Sequence, residues 1–200
     1  MVADLGQDPT GEWPMPVRTS RLVLRPLAPQ DLDDHLALCG DPDVVRFLYE
    51  DVMDRDAAMR NLARRLPPGP PADGQWTNLA VVADGAFVGE VGLRLVSRAH
   101  RQCEIGYVLD RAWQGRGYAT EAARALLALA FTHLAAHRVV ARADARNAAS
   151  IAVMERLGMQ REALLLQNEW IKGEWTDEVV YALRRQQWQM EPTSTPGKAP

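Results

Sequence analysis

Residues 103–121 run Cys103-Glu-Ile-Gly-Tyr-Val-Leu-Asp110 and then Arg111-Ala-Trp-Gln-Gly-Arg-Gly-Tyr-Ala-Thr-Glu121. An extended apolar run passes through two glycines into an alanine-rich segment of helical periodicity, so the predicted order is strand, bare loop, helix. Gly115 and Gly117 carry no side chain to hold a ligand off the backbone, and they tolerate the positive φ that turns successive N–H groups into one concavity. The helix predicted over residues 118–134 adds its unpaired first-turn N–H groups and the positive end of its dipole. Negative charge, such as a diphosphate, is expected to settle there.

Spacing chooses among phosphate-binding loops. A P-loop is excluded, because no Lys-Ser or Lys-Thr pair follows at the required distance. A dinucleotide fingerprint fits poorly. Gly115-x-Gly117 opens a helix and Asp144 follows the next apolar run, yet Thr120 stands where the third glycine belongs, and too few strands remain for a doubly wound sheet.

Two hundred residues at 47% hydrophobic content can bury one substantial core, which favours a single α/β domain with tails. A formal net charge of −3 with both signs interspersed offers no basic face for nucleic acid. Cys39 and Cys103 stand apart from any CxxC or Cys/His cluster, and the four histidines lack metal-ligand spacing, so no metal is expected. The N-terminus lacks the basic and apolar regions of a secretion signal, and the apolar stretch near residues 122–134 is too short for a bilayer. A cytoplasmic protein with reduced thiols and no membrane span is the expectation.

Along the chain, strands are predicted near residues 22–25, 77–83 and 87–95, the last two joined by Asp84-Gly85, a strong hairpin signal. Helices are predicted from Pro29, over 43–48 and over 55–66, where the Pro67-Pro-Gly-Pro-Pro71 run ends the last of them as an exposed loop. A strand over 138–143, a helix over 148–157 and a hairpin over 164–183 follow. Asn147 is placed to cap that helix and Gly158 to stop it.

Gln114-Gly115-Arg116-Gly117-Tyr118-Ala119 resembles the Gln/Arg-x-x-Gly-x-Gly/Ala signature of the GNAT superfamily of acyl-CoA-dependent N-acyltransferases. The string Gly106-Tyr-Val-Leu-Asp110 with Trp113 and Gly117-Tyr-Ala-Thr-Glu-Ala122 is similar to its RimJ/RimL branch, which acetylates protein N-termini. Asn147-Ala-Ala-Ser150 with Met154-Glu-Arg-Leu-Gly-Met159, and Asn168-Glu-Trp170 in the closing hairpin, resemble the same branch. The resemblance implies one GNAT-fold domain over 20–186 between tails 1–19 and 187–200. Its central sheet would be mixed and mostly antiparallel, flanked by helices and splayed at the CoA-binding strand.

It also implies roles. Gln114, Gly115, Arg116, Gly117, Tyr118 and Ala119 would hold the CoA diphosphate, with Val108 and Leu109 pairing with pantetheine and a Leu109 N–H facing the oxyanion. Asn147 would line the channel, Ser150 would protonate the leaving thiolate, and Glu169 would act as base. Glu104 is the rival base, and Arg111, Arg116 and Arg146 are candidate phosphate partners. Acetyl-CoA is the expected cosubstrate and a primary amine the acceptor, either a protein N-terminus or a small amine or antibiotic. A larger donor such as succinyl-CoA, a non-catalytic CoA sensor and a homodimer remain open.

Magnitudes bear on the acceptor. At pH 7 an α-amine, pKa ~8, costs about 1.4 kcal/mol to deprotonate, and a lysine, pKa ~10.4, about 4.6. An ordinary carboxylate suffices for the first and is a poor base for the second.

Overall fold

The structure is a computed structural model, and it describes residues 13–66 and 69–190. One eight-stranded sheet forms its centre: β1 (Val17–Arg18), β2 (Leu22–Pro26), β3 (Trp76–Ala83), β4 (Ala86–Ser97), β5 (Gln102–Leu109), β6 (Arg138–Asp144), β8 (Glu174–Arg184) and β7 (Gln160–Ile171), in that spatial order. Every neighbouring pair is antiparallel except β5 and β6. This is the α/β GNAT fold. Asp84 and Gly85 both take positive φ, 49° and 82°, the conformation a two-residue hairpin turn requires.

The parallel pair positions the site. β5 and β6 are in register only from Gln102–Arg138 to Glu104–Val140. Beyond that, β5 stays on β4 as far as Leu109, while β6 stays on β8 as far as Asp144. A gap therefore opens between residues 106–109 and 141–144, the splay that the resemblance implied.

α4 (Tyr118–Thr132) and α5 (Ala148–Arg156) pack on one side of this gap. The alanines of α4 let it lie close to β5, and its own Leu126, Leu127, Leu129 and Phe131 are fully buried, each contributing roughly 1.5–3 kcal/mol. On the opposite side, α1 (Leu32–Cys39), α2 (Pro42–Val45) and α3 (Arg55–Arg64) cover the β2–β4 end. There His35 Nδ1 lies 2.5 Å from Glu90 Oε1, and Arg65 donates to Glu90 Oε2 at 2.5 Å, so the carboxylate of a nearly buried glutamate is doubly partnered.

Several expected boundaries are corrected. The tail set at 1–19 contains β1, whose Val17 is 3% exposed and pairs with Leu24. The tail set at 187–200 begins inside α6 (Arg185–Met190), where Trp188 stacks on Phe131 at 5.6 Å. The helix expected over 43–48 is the single turn α2, capped by Asp41. The helix expected to reach residue 134 stops at Thr132, ahead of Ala135 with φ 50°. Residues 1–12 and 191–200 of the two tails, and Pro67 and Pro68 of the proline run, lie outside the described residues.

Candidate functional site

A cleft of about 1110 Å³ occupies the gap between β5 and β6 and continues along the start of α4 and one face of α5. Its floor is the loop at Gln114–Ala119. Gly115 (φ 75°) and Gly117 (φ 80°, ψ 3°) adopt the left-handed conformation anticipated from their sequence, and Gly117 caps α4. Among the described residues, no hydrogen-bond acceptor faces the backbone N–H groups of residues 115–120. Six successive donors at a helix start therefore open onto the cleft, an arrangement complementary to a diphosphate. The Thr120 hydroxyl beside them is buried and unpartnered as well.

The side chains around the loop brace it. Gln114 Nε2 donates to the Leu109 carbonyl at 3.0 Å, tying the loop to β5. Arg21, which the sequence did not single out, donates to the Arg116 carbonyl at 3.0 Å and lies 4.8 Å over the Tyr118 ring. Glu121 accepts from Thr19 Oγ1 (2.6 Å), Ser20 Oγ (2.9 Å), Arg21 N (2.9 Å) and Arg21 Nε (2.7 Å). Burial alone would raise its pKa, but the hydrogen bonds from Thr19 and Arg21 outweigh it and hold the carboxyl below its ordinary range.

The three arginines read as phosphate partners are engaged elsewhere. Arg116 lies 4.7 Å over the Trp113 ring and donates to the Ala112 carbonyl. Arg111 pairs with Asp43 and Asp41. Arg146 grips Asp144 and Glu174, which pulls the Asp144 carboxyl below its usual range. Arg116 lines the cleft all the same, as do Arg124 and Arg156 farther along α4 and α5, with Arg124 donating to the Arg156 carbonyl at 3.3 Å.

At the other end of the cleft β5 presents its backbone. Asp110 N donates to Val88 O, and a strand alternates the side to which its polar groups point, so Leu109 N–H and the Tyr107 amide groups face the gap. Val108 O faces β4: a Cβ on Gly89 would sit 2.3 Å from it. Val108 thus borders the gap without offering it an amide, whereas Leu109 and Tyr107 do.

α5 supplies the facing wall. Asn147 Oδ1 accepts from Ser150 N at 3.1 Å as the helix cap, and both residues line the cleft. The Tyr107 hydroxyl lies 3.0 Å from Ser150 Oγ and 3.0 Å from the Ser150 carbonyl. Burial pushes the Tyr107 phenol up to about 12, so it stays protonated and acts as a donor to the turn that carries Ser150. Nothing in the sequence pointed to this contact.

Glu169 and Glu104 do not line the cleft. Both lie on the sheet face opposite α4, where alternation groups Glu104 on β5, Arg142 on β6 and Thr176, Glu178 and Val180 on β8. Glu178, missed in the sequence, is 3% exposed and accepts from Arg142 Nη1 (2.9 Å), Asn168 Nδ2 (3.1 Å) and Tyr49 Oη (3.5 Å). Glu169 shares Asn168 Nδ2 at 3.2 Å. Burial pushes the Glu104 carboxyl above its ordinary range against the opposing pull of Arg142 and Arg94. Burial and the nearby Glu178, Glu169 and Glu104 raise the Tyr49 phenol to about 12. Trp170 and Trp175 stack edge-on at the β7–β8 tip, more than half exposed.

The acetyltransferase (GNAT) domain family matches residues 21–160, which span the cradle, the splay and α5. The chain belongs to the GNAT acetyltransferase family. A GNAT structure from Bacillus anthracis superposes with TM-score 0.77 at 28% identity, covering 86% of this chain and 99% of that one. The spermidine N(1)-acetyltransferase of Escherichia coli is 26% identical over 175 residues, 88% of this chain and 91% of that protein. The ribosomal protein uS5 alanine N-acetyltransferase of Escherichia coli is 30% identical over 104 residues, 52% of this chain and 50% of its own length. This GNAT enzyme is thus an N-acetyltransferase with acetyl-CoA as cosubstrate, and the open amides of residues 115–120 suit the CoA diphosphate. Among its described residues no helix is long and apolar enough to cross a membrane, and no three His, Cys, Asp or Glu side chains group to hold a metal ion.

Proposed function

We propose that this GNAT enzyme is of the RimJ/RimL type and transfers acetyl to the α-amine of a protein or peptide N-terminus by direct attack within a ternary complex. The six open N–H groups at 115–120 carry the reading, because they fix the diphosphate and so aim the thioester along Tyr107–Leu109. Leu109 N–H meets the oxyanion as the amine nitrogen forms its bond to the carbonyl carbon and the carbon–sulfur bond breaks. Ser150 Oγ, which lies 3.0 Å from the Tyr107 hydroxyl on the turn whose backbone N–H Asn147 caps, gives the thiolate its proton. The amine's own proton leaves toward the carboxylates of the opposite face, where Glu169, Glu104 and Glu178 surround Arg142 and Tyr49. The uS5 alanine acetyltransferase among its relatives supports an α-amine acceptor.

A second reading, a polyamine acceptor, is supported by the relative that acetylates spermidine and by the same carboxylates. A panel of N-terminal peptides, lysine peptides and polyamines, assayed for CoA release from acetyl-CoA and from succinyl-CoA, separates the two. Turnover of α-amine peptides alone supports the first reading, turnover of spermidine alone the second. Failure to bind CoA would remove both.

A further inference from the structure

Trp76 opens β3 and sends its indole across two strands. Its register partner on β4 is Arg94, yet the ring lies over the next pair on the same face, Gly92 of β4 and Gly106 of β5. A Cβ built on Gly92 would meet Cε3 at 2.9 Å and Cζ3 at 3.2 Å, and one on Gly106 would meet Cη2 and Cζ3 at 3.7 Å. Two facing glycines thus form a shallow seat that one ring covers. The contacts run along the benzo edge of the indole, Cε3, Cζ3 and Cη2, and Trp76 is 42% exposed, so part of the ring is open to solvent beside the two glycines.

Gly106 lines the cleft, and Glu104 is the preceding residue on the same face of β5. The seat therefore lies where the splay begins, between the thioester strand and the carboxylates. We propose that the exposed indole face of Trp76 is the acceptor-binding platform, which receives the alkylammonium form of the amine and holds it beside Glu104 until its proton is lost. This deepens the acetyl-transfer reading and rests on it.

An indole face attracts an ammonium through its quadrupole, worth about threefold to thirtyfold in affinity depending on desolvation. On this face Arg94 and Glu104 stand nearest the ring, Arg142, Glu178 and Glu169 follow along β6 to β7, and Glu90, Arg25, Asp144 and Glu174 lie farther out on the same face. Arg94 contacts Glu104 at 3.5 Å and Arg142 contacts it at 3.9 Å, while Arg94 also donates to the Gly74 carbonyl and Arg142 to Glu178 at 2.9 Å. The carboxylates of Glu104 and Glu178 thus stand along the face that carries the ring, each held by a guanidinium. The step balances simply: the nitrogen–hydrogen bond breaks, the proton passes to the Glu104 carboxylate, and the freed lone pair attacks the thioester. Burial raises the Glu104 carboxyl and makes it a better proton acceptor than an exposed glutamate.

The test is a titration of the full chain saturated with CoA, following the Trp76 indole N–H resonance, which Trp76→Phe identifies by its loss. Choline is added in one series and 3,3-dimethyl-1-butanol, its neutral isostere, in the other. A saturable shift with choline, at least tenfold weaker with the alcohol and weakened about threefold or more by Glu104→Gln, is expected. With the best acceptor of the panel, Trp76→Leu is expected to raise KM about tenfold while leaving the CoA Kd unchanged, and Trp76→Phe to recover most of the loss. Gly92→Ala, whose methyl displaces the ring, should act like Trp76→Leu. Equal shifts with both probes, or an unchanged acceptor KM in Trp76→Leu, would overturn the platform and leave the acetyltransferase assignment intact. Loss of CoA binding by the unmodified protein would instead strike at the cradle.

Discussion

Gly117 is the residue on which the cradle turns. Its φ of 80° lies where a β-branched side chain is strained by about 1–2 kcal/mol or more, and a Cβ there would sit 3.4 Å from Arg21 Nη2. Gly117→Val is therefore expected to weaken CoA binding at least tenfold by calorimetry. Arg116→Ala should change it less than about threefold, because that side chain lies on Trp113 and the loop binds through backbone. The glycines were legible because the constraint is local. That Arg116, Arg111 and Arg146 point to Trp113, Asp43 and Asp144 was not, since a guanidinium's partner is chosen by the fold. Ser150 and Tyr107 form a second unit. A thiol of pKa ~8.5 needs little help to leave at neutral pH, so Ser150→Ala should lower kcat only about threefold to tenfold. If Tyr107 acts through Ser150, the Tyr107→Phe, Ser150→Ala double variant should be no slower than the slower single variant, whereas multiplied losses would show independent roles.

At the scale of elements, the start of α4 is fixed by its attachment to the β1–β2 loop. Glu121, on the first turn, collects four donors from Thr19, Ser20 and Arg21, with Arg21 closing onto the Arg116 carbonyl. Glu121→Ala removes the acceptor of four donors, of which only the Thr19 hydroxyl is partly buried, and is expected to cost about 1 kcal/mol in denaturant unfolding at pH 7. A neutral result would mean that solvent replaces the carboxylate at no cost. The helix itself was evident from Ala/Leu periodicity, and the β3–β4 hairpin from Asp84-Gly85. The clamp was not, because its partners lie about a hundred residues apart in sequence. The β5–β6 splay was expected only through family resemblance, since alternation within one strand says nothing of where its neighbour parts from it.

For the whole molecule, stability at low pH should follow its depressed carboxylates. Asp31 is 2% exposed and forks with Arg25 at 2.6 and 2.7 Å while accepting from Ala28 N at 2.8 Å. Burial would raise its pKa, but these bonds outweigh it and the carboxyl titrates below its ordinary value. A depressed folded-state pKa contributes stability above the unfolded value of about 3.9 that is lost as pH falls through the folded one. Asp31→Asn is accordingly expected to cost about 3 kcal/mol at pH 7. Its deficit should shrink as pH falls below the ordinary carboxylate range, by urea titration at pH 7 and in acid. A deficit independent of pH would assign the loss to packing.

What the sequence determined by itself was whatever a few adjacent residues can enforce: the left-handed glycines, the helix start behind them, the tight hairpin and the Asn147 cap. These follow from backbone sterics and short-range hydrogen bonds, which need no distant partner. Tertiary structure alone decided which charges remain available and which are consumed in pairs, buried Glu178 among Arg142, Asn168 and Tyr49, and seated Trp76 on two glycines of neighbouring strands. Strand order and register set those contacts, and neither is written in any short stretch of the chain.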